Sequence, residues 1–517
     1  MPFLTSRKAL IAAFLFLGLF LLLPTGNPGI DAWYYAASVK YQGELFHPHH
    51  LLYNATCYLV ARLFSIAGVS PGTLSLMNAV NAFVAFLILL VMIRIIRMLS
   101  DSPDMDLAGV VFTGSCFALM RYATESETYL FPLLLGLMAS MFYLQSRHSR
   151  NTRDVVLSGL LGSLGVLYHQ TGIFWWMGLL AATLFCSGRK KAALWYSATG
   201  LIIPLVYLGV WFSKNGLTEI KSLADFIFQA YREGDASLSA DITGFLFGVA
   251  GLVRSFLQVH GNMWLLVRHS LWYLLPALLA VAVWSVLLLR RPWNRISRKN
   301  GQENIAAVHL SIAAALWIFA VLSSGNAEFM VSIPALLFIS SIAAFRVSAP
   351  TVLLAGTGLL IWNTGFGLLP THLYRYEPVR ELAVRVADHP GDLFILKEDQ
   401  RIHAAYYYLT GKEPAPGVFR SPSDLLRRGI TTDSLHRCIT QTLERGGKVW
   451  TDCLERPVVL NRAALVSGQD TAFFSRYLTV PADTLRTFYG NTIIHRVDLK
   501  NGPSKGFSSL PLPDSPR

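Results

Sequence analysis

The sequence predicts a mainly α-helical, polytopic membrane protein with a small α/β domain at its C-terminal end. Three observations carry this. Of 517 residues, 53% are hydrophobic and only 15% charged, where soluble domains carry roughly 25% charged residues. Apolar runs of spanning length recur from the N-terminus to about residue 370. Beyond Pro370 the composition turns polar, and strand and helix patterns alternate.

A helix needs about 20 apolar residues to cross a bilayer. Runs that qualify, or nearly so, lie at 8–25, 74–97, 105–121, 128–145, 154–168, 171–187, 191–213, 267–289, 305–323, 329–346 and 349–370, giving about eleven spans. The first has a basic start and an apolar run, as a signal peptide would. No small-residue cleavage site follows it, so it reads as an uncleaved span. The run 50–69, "HLLYNATCYLVARLFSIAGV", carries Asn54 and Arg62 and is ambiguous.

The positive-inside rule arbitrates. With 50–69 lying along the surface and the N-terminus cytoplasmic, the inside loops hold Arg7 and Lys8; Arg94 and Arg97; Arg147, Arg150 and Arg153; Arg189, Lys190 and Lys191; and Arg290, Arg291, Arg295, Arg298 and Lys299. The outside turns after 121, 168 and 323 are nearly free of Lys and Arg. Letting 50–69 cross would reverse the bias. Topology therefore accounts for much of the net charge of +13, and nucleic acid is not an expected partner. The long outer segment 214–266 contains "TEIKSLADFIFQAYREGD", an amphipathic pattern suited to the membrane surface.

Past Pro370, "DLFILKED" and "GGKVWTD" read as strands, and "RIHAAYYYLTG" and "DSLHRCITQTLERGG" as amphipathic helices. This sets the expected domains: a transmembrane domain over 1–370, an extracytoplasmic α/β domain over 371–500, and a disordered Pro/Ser/Gly-rich tail over 501–517. The five cysteines show no metal-ligand spacing. Cys57, Cys116 and Cys186 lie in apolar runs, whereas Cys438 and Cys453 could pair in an oxidising compartment.

The same topology gathers ionisable groups on the outer face. Asp31, Lys40, Glu44, His47, His49 and His50 fall in the first outer loop, and Glu125 and Glu127 in the second. His169 and Gln170 form a tight hairpin tip, and Asn326 and Glu328 another. Each has a bland reading: Asp31 can favour a helix N-terminus, Glu125 and Glu127 can complement the dipole of the next span, and the histidines can line a solvated loop. Four separate turns offering acids or histidines on so uncharged a chain point instead to function. The set suits transfer from a lipid-borne donor to an outward-facing acceptor. A carboxylate can take the proton of an attacking hydroxyl. A lipid phosphate leaving group needs positive charge or hydrogen-bond donors, which the histidines, Lys40 and Arg121 could offer. A carboxylate pair could instead hold a divalent metal.

The order of "GIDAWYYAA", "HPHHLLY", "SETYLFPLLL", "GVLYHQTGIFWW" and "AEFMVSIPALLF" resembles the GT-C superfamily of polyprenyl-phosphate-sugar-dependent glycosyltransferases. The likeness is to the branch with protein O-mannosyltransferases and the aminoarabinose transferase of lipid A, and it covers roughly residues 1–370. It implies an integral membrane glycosyltransferase, inverting, with Asp31 as general base. His47, His49, His50 and Lys40 would serve the donor phosphate, and Glu125, Glu127, His169 and Glu328 the acceptor or metal side. Mg or Mn is the metal to expect if Asp31, Glu125 and Glu127 hold one; no other cofactor is implied. The partners implied are a polyprenyl-phosphate sugar, a glycan, lipid or protein acceptor, and the bilayer. The expected location is a bacterial inner membrane, with the C-terminal domain periplasmic. The alternative is a transporter or flippase of lipid-linked sugars. That would call for polar or broken helices at the midplane or inverted repeats, and neither is evident in the sequence.

Overall fold

The computed structural model describes residues 6–100, 102, 104–186, 189–215, 220–229, 238–259, 263–290, 297–299, 301–454 and 470–500. The expected tail 501–517, Arg291 and Arg295, and parts of the 214–266 segment lie outside the described residues. The chain divides into two compact units, Met1–Arg375 and Tyr376–Arg517.

The first unit is helical. It opens with α1 (Arg7–Leu22), α2 (Ile30–Tyr41), α3 (Tyr53–Ile66), α4 (Thr73–Leu99), α5 (Met105–Ser115), α6 (Phe117–Ala123), α7 (Leu130–Ser149), α8 (Thr152–Tyr168) and α9 (Gly172–Ala181). Among the described residues, six helices are long and apolar enough to cross a membrane: Thr73–Leu99, Lys190–Lys214, Leu271–Leu289, Glu303–Leu322, Ala327–Ala344 and Ala349–Leu373. The protein is an integral membrane protein. The other expected spans are also helices: α7 runs unbroken for 20 residues, and the rest are shorter or interrupted. The run 105–121 breaks at Cys116 into α5 and α6. There Asn363, fully buried, donates to the carbonyls of Ser115 at 2.7 Å and Phe256 at 2.8 Å.

α3 has 14 residues, about 21 Å, which is too short for a hydrocarbon core of about 30 Å. It buries Tyr53, Asn54 and Cys57 and turns Leu59, Leu63 and Ile66 outward, as a helix lying in the interface does. The α8–α9 hairpin is as tight as its sequence suggested. A Cβ on Gly172 would stand 2.8 Å from the carbonyl oxygen of Gly165, so only glycine allows the approach. Within the described part of 214–266, Ile220–Ile227 and Ile242–Phe256 are helical.

Hydrogen bonds lock several connections together at one end, here called the first-loop face. Thr25 N–H donates to Thr124 O (3.0 Å) and Gly26 N–H to Thr371 O (2.8 Å). Asn27 Nδ2 reaches Thr371 O and Tyr374 O, and His372 Nδ1 donates to Pro24 O at 2.8 Å. The chain before α2 is thereby strapped to the second turn and to the end of the last helix.

The second unit is an α/β domain. Its five-stranded sheet runs in the order Val418–Arg420, Leu393–Leu396, Val449–Thr451, Gly490–Leu499, Tyr477–Thr487. The first three strands are parallel, and the last two add an antiparallel hairpin. One sheet face buries Leu393, Ile395, Val449 and Val497 against Leu435 and Ile439 of helix Asp433–Glu444. Cys453 lies in this core with Cys438 packed against it, and both are free thiols rather than a disulfide.

Candidate active site at the first-loop face

The site is built around the turn "TESE" between α6 and α7. Asn81 of α4, fully buried, donates through Nδ2 to the carbonyls of Glu125 and Glu127, both at 2.7 Å, while Ser126 Oγ donates to Asn78 Oδ1 at 2.5 Å. Asn78 and Asn81, polar residues within the apolar run 74–97, thus cap the neighbouring turn. Glu125 is fully engaged. Its Oε1 accepts the Gly29 N–H at 2.9 Å, and its Oε2 pairs with Arg121 Nε at 3.3 Å.

Gly29 is the N-cap of α2 and Asp31 lies in its first turn, where the helix dipole favours an acid. A methyl group on Gly29 would stand 3.2 Å from Glu125 Oε1 and 3.5 Å from Glu127 Oε1, so α2 begins against both glutamates. Burial, then the charges of Glu328 and Glu125, lift the Asp31 carboxyl to about 6, against a hydrogen bond from Tyr35 one turn on. Glu127 is 3% exposed, and among the described residues its Oε2 has no hydrogen-bond partner. Burial, then Asp31, Glu328 and Glu125, raise it well above the usual carboxylate range. Glu328 closes the cluster: its Oε2 accepts the Tyr129 hydroxyl at 2.9 Å and its N–H donates to Asn326 Oδ1 at 3.0 Å.

The histidines lie together on the other side of α2. His47 stacks on His50 at 4.5 Å and 8°, and His50 meets Tyr35 edge-on at 4.6 Å. His49 Nδ1 donates to Gln170 Oε1 at 3.1 Å, while Gln170 Nε2 donates to Pro48 O, Tyr207 OH and Ile227 O. Gln170 thus pins the first loop to the hairpin tip. His169 Nδ1 accepts the Thr171 N–H at 3.2 Å, so that nitrogen carries no proton. Burial first, then neighbouring imidazoles, hold His47 down to about 4, His169 to about 3 and His50 well below its ordinary value; Lys214 adds to the shift at His47. At neutral pH these three rings are uncharged. In that form they donate or accept hydrogen bonds and carry no charge toward a phosphate.

The structure does not bring Lys40 to this cluster. It sits in the last turn of α2, nine residues and about 13 Å along the helix from Asp31, with its ammonium 4.8 Å over the Tyr41 ring. Nor, among the described residues, does any group of three or more His, Cys, Asp or Glu side chains converge as metal ligands. Of the acids expected to hold Mg or Mn, Glu125 has both oxygens engaged, by the Gly29 N–H and Arg121.

Sequence reading missed Arg254. It lies in helix Ile242–Phe256, within electrostatic reach of Arg121, Tyr122 and Glu328, and among the described residues its buried Nε has no hydrogen-bond partner. A lone arginine in the apolar stretch "ITGFLFGVAGLVRSF" was the available signal.

No protein-family model and no curated protein sequence matches this chain. Solved structures do. ArnT from Cupriavidus metallidurans in the apo state superposes with a TM-score of 0.56 at 12% identity, covering 94% of this chain and 97% of that one. The same protein bound to undecaprenyl phosphate gives 0.52 at 12% identity, covering 96% and 98%. The apo oligosaccharyltransferase of Archaeoglobus fulgidus gives 0.49 at 13% identity, covering 87% and 70%. These are GT-C glycosyltransferases.

The chain has the GT-C fold.

The first unit supplies the helices of that fold and the strapped connections of its first-loop face. At this identity the likeness concerns the fold, and the chemistry must be argued from the residues.

Proposed function

We propose that the protein is a membrane glycosyltransferase that moves a sugar from a polyprenyl-phosphate donor to an acceptor hydroxyl at the first-loop face. The observation that carries this is the meeting, in a GT-C fold, of Asp31 with Glu125, Glu127 and Glu328, where Arg121 pairs with Glu125 and Arg254 lies within electrostatic reach of Glu328. Ionised Asp31 takes the acceptor hydroxyl proton as that oxygen attacks the anomeric carbon. The carbon–oxygen bond to phosphate breaks on the opposite face, and the configuration inverts. The polyprenyl phosphate leaves with both electrons of that bond. Arg121 and Arg254 supply its charge partners, because a guanidinium stays protonated and presents fork-like donors to phosphate. The neutral histidines and the Tyr35 hydroxyl orient hydroxyl groups. α3, in the interface, lets the prenyl chain remain in lipid.

The basic connections named from the sequence favour a cytoplasmic N-terminus by the positive-inside rule. The first-loop face and the Tyr376–Arg517 unit are then periplasmic, in a bacterial inner membrane. The test is mass spectrometry of lipid-linked sugars and surface glycans in a deletion strain, the strain restored with the native gene, and the strain restored with an expressed Asp31→Asn protein. Accumulation of one polyprenyl-phosphate sugar in the first and third, with loss of one glycan residue, is expected. Full restoration by Asp31→Asn would remove Asp31 from the base role.

A further inference from the structure

The hairpin of strands Tyr477–Thr487 and Gly490–Leu499 is longer than the sheet it belongs to. Its sheet neighbour, Val449–Thr451, pairs with it at Val497, Arg496 and His495. Five further residue pairs, from Asp483–Ile494 to Thr487–Gly490, continue past that ladder as a two-stranded arm about 17 Å long. The register shifts between Pro481 and Asp483, where the arm leaves the sheet, and such a bulge bends and twists the ribbon. A two-stranded ribbon is marginal by itself in water, so the arm needs support.

Its tip is aromatic. Phe488 and Tyr489 fill the two-residue turn, where hairpins ordinarily carry Asn, Asp or Gly. Gly490 supplies the positive φ, at +132°. The two rings meet Tyr376, with centroids 4.9 Å away for Tyr489 and 6.0 Å for Phe488, and lie 5.3 Å from each other. At the arm's base Asp483 pairs with Arg385. The arm therefore runs beside Tyr376–Arg385 with its tip at Tyr376. All three rings are half-buried. They lie apart from the core of the unit, to which the hairpin gives Tyr477 and Val497 at its other end; Val497 is eight residues, about 26 Å, from Tyr489.

The chain itself sets the level of Tyr376. It stands three residues beyond the end of the last spanning helix, Ala349–Leu373, and so within about 11 Å of that end, a reach that stops in or just above the headgroup layer. Aromatic rings collect at that level, and a tyrosine there keeps its hydroxyl in water. Arg375, next to Tyr376, and Arg486, two residues before the turn, are exposed, and guanidinium groups suit phospholipid phosphates. The carboxylate beside Tyr376, Glu377, is paired with Arg401.

We infer that Phe488 and Tyr489 enter the interfacial layer of the protein's own bilayer, so that the arm is a lipid anchor for the Tyr376–Arg517 unit in addition to the chain link at Tyr376. This rests on the preceding span and not on the transferase reading.

The test is electron paramagnetic resonance of the full-length chain in phosphatidylcholine/phosphatidylglycerol vesicles. A p-acetylphenylalanine carrying a nitroxide replaces Phe488 in one protein and Ala482, exposed at the arm's base, in another, with melting temperatures checked. At position 488, collisions with oxygen, which partitions into lipid, should exceed those with a water-soluble nickel chelate; at 482 the order should reverse. Tyr489→Asp should shift position 488 toward the pattern of 482, because a carboxylate opposes insertion. Water-like collisions at 488 overturn the proposal. So does a nitroxide reached by neither reagent, which would place the tip against protein, whether this chain or a second copy. A signal at 488 that stays lipid-like in Tyr489→Asp also overturns it, since the label alone would then be seeking lipid.

Discussion

Replacing Asp31 with Asn should make the solubilised protein more stable at pH 8, and the gain should shrink as the pH falls. The folded state raises this carboxyl from 3.8 to about 6, first by burial and then through Glu328 and Glu125. A carboxyl lifted above its unfolded value contributes stability below the unfolded value, and that contribution is lost as pH rises through the folded one. At pH 8 ionised Asp31 therefore costs the fold about 3 kcal/mol, at ~1.4 kcal/mol per pH unit. Asp31 is partly open to solvent, and screening reduces this to about 1–3 kcal/mol. Asn has nearly the same shape, keeps an acceptor for Tyr35 and carries no charge, so it should recover that cost, worth a few degrees in melting temperature. By pH 5 the wild-type protein is largely protonated while its unfolded chain still ionises, and the gain should fall to about half. Thermal unfolding of both proteins in detergent at pH 8 and pH 5 decides the matter. A variant no more stable at pH 8, or equally stabilised at both values, would show that Asp31 does not lie in a buried anionic cluster.

On the proposed function the same carboxyl sets the acid limb of activity. Donor turnover should fall as pH drops through about 6, and Asp31→Asn should lose roughly 10²–10⁴-fold at neutral pH, both read by release of polyprenyl phosphate. Asn81→Leu strands the carbonyl of Glu127 and leaves that of Glu125 only the Glu127 N–H, at about 1–3 kcal/mol for the stranded group, so the melting temperature should fall and turnover with it. Arg254→Ala should raise the KM for the donor about tenfold or more, as loss of a charged phosphate contact would, with a smaller effect on melting. His47→Gln should leave the donor KM within about twofold, less than half a kcal/mol, because the ring it replaces is uncharged at neutral pH; a large rise would restore a cationic role to the histidine.

What could be read from the sequence divides along a physical line. Hydropathy fixed where helices lie, because the bilayer imposes one length scale on every span. It could not locate the break at Cys116, since "GVVFTGSCFALM" is uniformly apolar. The bond that stabilises the break comes from Asn363, 248 residues away. Within the α/β domain the strands at Leu393–Leu396 and Val449–Thr451 and their helices were legible. The hairpin Tyr477–Leu499 was not, because "TVPADTLRT" lies on a largely exposed edge with no apolar alternation to betray it.

The candidate site shows the same division. Acids were legible as residue types on turns, and the structure brings Asp31, Glu125, Glu127 and Glu328 together. Lys40 was drawn in by sequence proximity, although nine helical positions carry it away; Arg254 was passed over because 223 residues separate it from Asp31. The protonation state of the histidines had no sequence signal at all. His47, His50 and His169 look like cations in a list of residues, yet burial against one another removes the charge. This changes the chemistry assigned to them. A buried group that must face a phosphate in every protonation state of its surroundings has to be one that cannot give up its proton, and only the guanidinium meets that condition. On the proposed function the division of labour is Arg121 and Arg254 for the phosphate, neutral imidazoles for hydroxyls, and Asp31, lifted but still ionised above about pH 6, for the proton that must move.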